Sequence, residues 1–194
     1  MICCLFIIQK LMASTLKTHD LEIPAFFDDK EISARYLKDT DQDAIFSLLK
    51  VCDDFSLLSH GIPSAIDDAH DLLTDRPPGI LPDQKAVIGF FDRDFRLAAA
   101  LDFLIGYPGE NIWFIGLLLI HPDLRGQGFG TRILSGFEAW ARTNQGKALM
   151  IGVLECNTAA LRFWQNNGFR EVERAGPRVY GLREHTVIRM RKNL

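Results

Sequence analysis

The sequence lacks the features that mark several classes of protein. Its four cysteines have neither a zinc-ligand spacing nor the pattern of a disulfide framework. The apolar run near its start, residues 2–8, is too short to span a membrane and lacks the basic segment and cleavage site of a signal peptide. Internal repeats and low-complexity runs are also missing. These absences favour a globular chain in a reducing, cytoplasmic compartment.

The chain also lacks a large excess of charge of either sign. The chain has 22 Lys and Arg against 25 Asp and Glu, a formal net charge of −3. This balance argues against non-specific binding of nucleic acid and is compatible with a cationic amine substrate. A length of 194 residues with 47% hydrophobic residues indicates one domain with a sizeable core. We expect no nucleic-acid or membrane partner, and the sequence leaves a homodimer open.

The first residues are separated from the rest by composition. We expect residues 1–24 to be an N-terminal extension and residues 25–194 to be a single domain. Met12 begins a more usual opening, MASTLKTHD. Either translation starts there or the first segment is an appended strand or helix, and the mass of the natively expressed protein distinguishes the two.

What the sequence does contain is a strand, a glycine-dense turn and a helix in succession, at residues 112–142. The run IWFIGLLLI predicts a buried strand, and HPDLRGQGFG ends it. An amphipathic helix follows, since Ile133, Phe137, Trp140 and Ala141 have the i, i+4, i+7, i+8 spacing of one buried face. The first-turn N–H groups and the helix dipole favour a phosphate at this helix start. Glycines in the turn let the backbone touch it.

The spacing within the turn distinguishes between phosphate-binding motifs. The turn lacks the Gly-Lys-Ser/Thr of a P-loop, and it has Thr131 where a dinucleotide fingerprint needs a third glycine or alanine. The arrangement Arg125-x-x-Gly128-x-Gly130 after a strand resembles instead the pyrophosphate-binding motif of the GNAT family of N-acetyltransferases. An ordinary glycine-rich turn is the alternative.

A second segment, CNTAALRFWQNNGF, resembles the other cofactor motif of the same family. Asn157 is placed to open a helix, Trp164 lies one turn from its end, and Gly168-Phe169 follows. A plain helix with an Asn N-cap and a Gly C-terminal cap would explain this segment alone. Two motifs in this order are harder to obtain by chance.

The resemblance implies an α/β fold, with a mixed central β-sheet flanked by helices and with splayed central strands. It also implies acetyl-coenzyme A as the cofactor, held by the end of the central strand, the glycine turn and the second motif. The residues implied to bind it are Leu118, Leu119, Ile120, Arg125, Gly126, Gln127, Gly128, Phe129, Gly130, Thr131, Asn157, Ala160, Phe163 and Trp164. Arg132 and Arg162 are available for further charge-assisted contacts to phosphate.

The implied reaction is transfer of an acetyl group to a primary amine of a small molecule or peptide, by direct attack of the amine on the thioester. Relatives often carry a glutamate on the central strand, which this chain lacks. The candidate bases are Asp102, Glu110, Glu155 and His121. Asp102 and Glu110 are favoured because a carboxylate among apolar side chains has a raised pKa. A surface or capping role, or a water chain to a distant carboxylate, is the alternative.

Trp164 stands where many relatives have a tyrosine that protonates the departing thiolate. An indole N–H can donate a hydrogen bond but is not a proton source near neutral pH. Tyr180 and Tyr107 are the candidates to replace it. Catalysis without an acid is the alternative, at a cost in rate of at most roughly 10²–10⁴. The missing glutamate and tyrosine also leave open a non-catalytic acyl-coenzyme A sensor.

Periodicity and turn signals order the rest of the chain as β-α-α-β-β-β-α-β-α-β-β. The first two helices are predicted to begin at Thr40 and Ser64. In the family such a helix pair lines the acceptor site, so His60, Asp67 and Asp68 are candidate contacts, against the alternative of a solvated helix start. The other predicted strands are 32–37, 86–91, 95–105, 148–154, 169–174 and 186–190, the last two joined by a loop at 176–184.

Overall fold

The computed structural model describes residues 16–24, 27 and 31–194. The strands are β1 Ser33–Tyr36, β2 Lys85–Phe91, β3 Leu97–Ile105, β4 Ile112–Ile120, β5 Ala148–Leu154, β6 Arg170–Tyr180 and β7 Arg183–Asn193. The helices are α1 Gln42–Val51, α2 Asp53–Ser59, α3 Asp67–Thr74, α4 Phe129–Thr143 and α5 Thr158–Asn166. Within these residues no helix combines the length and apolar character needed to cross a membrane.

The seven strands form one mixed sheet in the order β1-β2-β3-β4-β5-β7-β6. β4 and β5 are parallel, and the other neighbouring pairs are antiparallel. The parallel pair arises because α4 crosses over between β4 and β5. This mixed sheet with flanking helices confirms the predicted fold class.

The helices cover the two faces of the sheet unequally. On one face α4 and α5 pack over the centre, where the rings of Phe103 and Trp113 stack at 5.7 Å and Trp140 meets Trp113 edge-on at 5.4 Å. On the other face α1 and α3 pack over β2 and β3 through residues such as Ile45 and Leu48. The part of this second face formed by β5, β7 and β6 therefore remains available to line a groove.

A bulge interrupts the pairing of β3 with β4. Asp102 lies opposite Leu117, whereas the next residue, Phe103, lies opposite Ile115, so that Gly116 is the extra residue. The bulge reverses the alternation along β4. Ile115 packs on the α4 face, and Leu117 packs on the α1 face. Simple alternation of the sequence would have placed both on one face.

The structure corrects two sequence-based expectations about the elements. A short helix, α2, follows α1 directly and was not predicted. The loop predicted at 176–184 was wrong, because β6 and β7 form a long hairpin with its tip at Gly181 and Leu182. The Gly176-Pro177 step is absorbed by a register shift between Ala175 and Arg178, so pairing continues past the proline.

The predicted N-terminal extension lies only partly within the described residues. Its apolar run 2–8 and Met12 lie outside them. Residues 16–24 contact the sheet through Thr18, whose hydroxyl donates to the carbonyl of Lys85 at 2.9 Å and whose carbonyl accepts from the Tyr36 hydroxyl at 2.9 Å. The division at residue 24 stays a prediction.

Candidate active site

The centre of the sheet opens between β4 and β5. The two strands pair only from Ile112 opposite Ala148 to Ile115 opposite Ile151. Beyond this point β4 keeps β3 as its neighbour and β5 keeps β7, so a gap separates residues 116–120 from β5. We call this gap the wedge. It confirms the predicted splay and leaves main-chain groups of β4 without a strand partner on one side.

The glycine turn, residues 125–130, lies at the mouth of the wedge, and its backbone is not covered by side chains at two glycines. Gly126 and Gly128 have φ angles of 73° and 79°. A Cβ added to either would meet nothing within 4 Å, so the turn borders open space. α4 begins at Phe129 without a side-chain cap from the described residues. Its first-turn N–H groups are therefore available to an anion.

The start of α4, the end of β4 and α5 meet at Gly130. A Cβ added there would lie 2.8 Å from Cδ1 of Ile120 and 3.3 Å from Cε2 of Phe163. Asn157 caps α5 as predicted, since its Oδ1 accepts from the Ala160 N–H at 3.1 Å. The two sequence motifs are thus brought together at one end of the wedge.

Arg125 and Trp164 of the predicted cofactor set have their side chains engaged elsewhere. The Arg125 guanidinium lies 2.5 Å from an Asp54 carboxylate oxygen, which raises the pKa of Arg125, and its Nε donates to the Ile120 carbonyl at 2.9 Å. Trp164 is 4% exposed, with its ring centroid 5.0 Å from that of Phe169. Their contacts with a cofactor stay predictions, and the geometry favours the backbone of Arg125 over its side chain.

Asp102 is the buried carboxylate nearest the opening of the wedge. Its Oδ1 lies 2.5 Å from Nζ of Lys85, and a Cβ added to Gly116 would lie 2.1 Å from its Oδ2. The carboxylate therefore rests on the backbone of the bulge. Burial raises the pKa of Asp102 to about 6, although the Lys85 ammonium acts in the opposite direction.

A groove lies beside the wedge on the sheet face opposite α4. Its cavity measures about 160 Å³ and has an apolar floor flanked by two tyrosines. We call it the tyrosine groove. The residues that define it are Tyr107, Phe114, Met150, Arg178, Tyr180 and Arg189. Gly152 also lines it, directly after the last residue of β5 that pairs with β4, so the groove reaches the wedge.

The end of α2 and the tip of the β6–β7 hairpin contact each other beside the groove. The Leu182 N–H donates to the His60 carbonyl at 2.8 Å, and Nε2 of His185 lies 3.0 Å from the Ser59 carbonyl oxygen. The ring of His60 lies 6.4 Å from that of Tyr180. His60, a predicted acceptor contact, is therefore near the groove.

The other candidate bases make their contacts with residues other than Asp102 and Tyr180. Glu110 is exposed in the turn before β4, at the end of that strand opposite to the wedge. Glu155 is ion-paired with Arg174. His121 accepts a hydrogen bond from the Asp123 N–H at 3.3 Å. Their catalytic roles stay predictions without support from the geometry.

The two acidic candidates at the start of α3 are separate from this group as well. Asp68 accepts from the Ala65 N–H at 2.8 Å, which fits the alternative of a helix-start role. Asp67 is exposed in the first turn of the same helix. Their predicted contact with an acceptor remains untested.

Sequence reasoning missed several residues of the site. Lys85 was not identified because its partner is 17 residues away on the next strand. Arg178 and Arg189 lie on strands rich in polar residues, and no spacing distinguished them from surface charge. Cys156, whose Sγ lies 3.5 Å from Nδ1 of His185, was also missed. A correct register for the hairpin would have placed Arg178 opposite His185 and revealed the grouping.

Comparison with known proteins agrees with this arrangement. A family model described as the acetyltransferase (GNAT) family matches residues 45–169. A tRNA(Met) cytidine acetyltransferase, TmcA, from Aeropyrum pernix is 30% identical over 70 residues, which cover 35% of this chain and 10% of that protein. The chain thus spans about a tenth of the length of that relative.

Solved structures share the fold at low sequence identity. An acetyltransferase from Thermus thermophilus is 23% identical with a TM-score of 0.66, over 84% of this chain and 97% of that one. A GCN5-related N-acetyltransferase from Kribbella flavida is 21% identical, with a TM-score of 0.60 over 84% and 98%. The ribosomal-protein-S18-alanine N-acetyltransferase from Escherichia coli is 16% identical, with a TM-score of 0.60 over 84% and 93%.

Proposed function

Since this chain belongs to the GNAT family of acetyltransferases, we propose that it transfers an acetyl group from acetyl-coenzyme A to a primary amine. The observation that carries the proposal is the wedge, which opens between the uncapped start of α4 and the tyrosine groove. A thioester carrier held from the α4 side and an amine entering from the groove side would meet at the same point of β4.

The glycine turn supports binding of the diphosphate. The space beside Gly126 and Gly128 is not filled by the protein's own atoms. The N–H groups of residues 126–131 and the positive end of the α4 dipole favour a doubly charged phosphate group there. Neither element needs a basic side chain, which agrees with the engagement of Arg125 by Asp54.

The wedge supports binding of the extended arm of the cofactor. When bound, acetyl-coenzyme A supplies an acyl thioester on an arm that carries amide groups. The main chain of residues 118–120 lacks a strand partner on the β5 side and can pair with such amides. A β4 N–H directed into the wedge can also polarise a thioester carbonyl, as in an oxyanion hole.

Asp102 and Tyr180 are the proposed proton-transfer residues. A pKa of about 6 leaves Asp102 ionised at neutral pH and suits a base that takes a proton from an ammonium, directly or through one water. Lys85 holds the carboxylate in place through its ion pair. Tyr180 lines the groove, and its hydroxyl can donate a proton to the departing thiolate.

Substitution of Gly128 by valine tests the proposed cofactor site. The branched side chain would occupy the open space beside the turn, so we expect coenzyme A affinity measured by calorimetry to fall at least about tenfold, or 1.4 kcal/mol. Gly79→Val is the matched control. Gly79 also has a positive φ, 86°, with nothing within 4 Å, but lies before β2 at the end of the sheet where β4 begins.

Release of free thiol from acetyl-coenzyme A with a panel of amines tests the reaction itself. We expect release above the hydrolysis background that depends on the amine, and formation of the acetylated amine detected by mass spectrometry. Binding of coenzyme A without such release from any amine would reject the enzymatic proposal in favour of a sensor. Equal affinity of Gly128→Val and the unmodified protein would reject the placement of the diphosphate.

A further inference from the structure

The tyrosine groove has a charge opposite to that of the protein as a whole. The chain has a formal net charge of −3. The described residues that line the groove nevertheless include two arginines and no carboxylate. An acceptor that carried only a positive charge would find no counter-ion in this lining. The groove is therefore poorly suited to a polyamine or a lysine-rich segment.

One of the two arginines is available to a ligand. Arg189 donates to Glu173 at 2.7 Å, and Arg174 on the same hairpin is paired with Glu155 and Glu171. Arg178 has no ion pair or hydrogen bond from its guanidinium within the described part of the chain, and it is exposed at the rim. A guanidinium in this situation can bind a carboxylate through two parallel hydrogen bonds.

The floor and the size of the groove restrict the rest of the acceptor. Phe114 and Met150 face each other across β4 and β5 and form an apolar floor. Tyr107 meets Phe114 edge-on at 5.4 Å between ring centroids. The cavity of about 160 Å³ is smaller than the 300–1,000 Å³ typical of sites for drug-sized ligands. A small molecule with an apolar side chain fits this space.

The groove also orients such a molecule towards the wedge. Gly152 lines the groove at the point where β4 and β5 separate, and it offers no side chain to block the approach. Arg178 lies on the outer side, at the hairpin. In an α-amino acid the amine and the carboxylate share one carbon, so an acceptor whose carboxylate is bound by Arg178 also holds its amine within the cavity that Gly152 lines.

We infer that the acceptor is a free amino acid with an apolar side chain, whose carboxylate is bound by Arg178. This inference rests on the proposed acetyltransferase activity and specifies its substrate class. The amine attacks the thioester carbonyl, a C–N bond forms as the C–S bond breaks, and the thiolate leaves. The proton lost by the amine passes to Asp102. The products are the N-acetyl amino acid and the free thiol.

Pairs of acceptors with and without the carboxylate test the inference. Leucine and phenylalanine are compared with leucinamide and phenylalaninamide, which keep the side chain but lose the negative charge. Because the amine of an amide is less basic, kcat/KM is compared per neutral amine. We expect kcat/KM for the acids to exceed that for the amides at least about tenfold. Equal values for acid and amide would overturn the inference while leaving the acetyltransferase proposal intact.

Arg178→Gln connects this preference to one side chain. We expect it to raise KM for leucine at least about tenfold with little change in kcat, to leave leucinamide unaffected, and to be partly rescued by Arg178→Lys. Arg170→Gln is the control, since Arg170 is an exposed arginine on the same strand but outside the groove lining. An equal loss for acid and amide in Arg178→Gln would also overturn the inference.

Binding measured without turnover separates the two proposals. Calorimetric titration of leucine and leucinamide into the protein saturated with coenzyme A reports carboxylate recognition even if no transfer occurs. We expect leucine to bind more tightly, and Arg178→Gln to abolish the difference. Absence of binding by both leucine and phenylalanine would overturn the inference. Tight binding without thiol release would support it and count against the enzymatic proposal alone.

Discussion

The two halves of β4 have similar composition and different neighbours. Residues 113–115 are paired with both β3 and β5, and Trp113 and Ile115 are 1% and 0% exposed. Residues 117–120 are paired with β3 alone, and Leu118 and Ile120 are only half-buried. Both halves are apolar. Hydrophobicity therefore predicts the strand but does not distinguish the half that is paired on both sides from the half that borders the wedge.

The boundary between the halves coincides with the bulge at Gly116. A Cβ there would lie 2.1 Å from Asp102 Oδ2, so any other residue would force the carboxylate to move. The bulge increases the local twist of β4 and turns it away from β5. A buried main-chain group without a partner costs about 1–3 kcal/mol, so the second half of β4 is tolerated because the wedge admits water or a ligand.

The largest effect is expected where the two halves meet, at the Lys85–Asp102 ion pair. Lys85→Met removes one charge and leaves the Asp102 carboxylate, with a side chain 13% exposed, without its counter-ion. We expect a loss of about 3–5 kcal/mol in the free energy of unfolding, measured by urea denaturation. The double variant Lys85→Met, Asp102→Leu is expected to be close to wild type in stability and to lack transfer activity. A double variant as unstable as Lys85→Met would contradict this account.

Truncation of one apolar side chain in each half tests the comparison directly. Ile115→Ala opens a cavity in the core and is expected to cost about 2–5 kcal/mol. Leu118→Ala removes a half-buried side chain beside the wedge, and we expect a cost below about 1 kcal/mol together with weaker binding of coenzyme A. Equal losses of unfolding free energy in the two variants would show that both halves stabilise the fold alike.

The pH dependence of activity and of stability tests the role assigned to Asp102, which lies at the boundary between the two halves of β4. Because the pKa of Asp102 in the folded protein is about 6, kcat/KM is expected to rise as pH increases through 6 and the base ionises. The folded state binds this proton more tightly than the unfolded state. The contribution of Asp102 to the free energy of unfolding therefore falls as pH rises from about 4 to about 6, by up to about 3 kcal/mol. It is constant above pH 6.

The double variant without Asp102 supplies the reference for this measurement. Asp41 and Asp53 have pKa values lowered by hydrogen bonds from basic side chains, so their contributions change in the opposite direction at low pH. The difference between wild type and the double variant cancels these contributions. A difference that does not vary from pH 4 to pH 6 would assign Asp102 an ordinary pKa.

The smallest effect is a difference in reactivity between two thiols on either side of the wedge. Cys52 is 1% exposed, lies 3.5 Å from the Ile120 carbonyl oxygen, and has a pKa raised by burial. Cys156 follows β5 and is exposed. We expect iodoacetamide to modify Cys156 in the folded protein and Cys52 only on unfolding, as measured by mass spectrometry of the separate peptides. Similar rates would show that the β4 side of the wedge is open as well.

The parts of the fold that could be predicted are those encoded by local signals. The strands at 112–120 and 148–154 are apolar runs bounded by turn residues, and the structure has the same limits. Asn157 was recognised as an N-cap because the signal needs only the following turn. Asp102 stood out as the one charge in an apolar run.

The parts that could not be predicted depend on pairing between distant segments. The Lys85 partner of Asp102 and the bulge at Gly116 follow from the register of adjacent strands, which the sequence of one strand does not contain. α2 follows α1 without a Gly or Pro to mark the break. The cationic lining of the tyrosine groove appears only once the hairpin is folded beside β5.

The order of the last three strands bears on when each part of the proposed site is synthesised. β7 is made after β6 yet lies between it and β5. Both cofactor motifs precede β6 in the chain, whereas Arg178, Tyr180 and Arg189 need β7 in place. In the proposed function, the loops assigned to the thioester carrier are therefore synthesised before the hairpin that supplies both arginines of the groove. The part of the groove that would bind the carboxylate of an acceptor is added to the chain last.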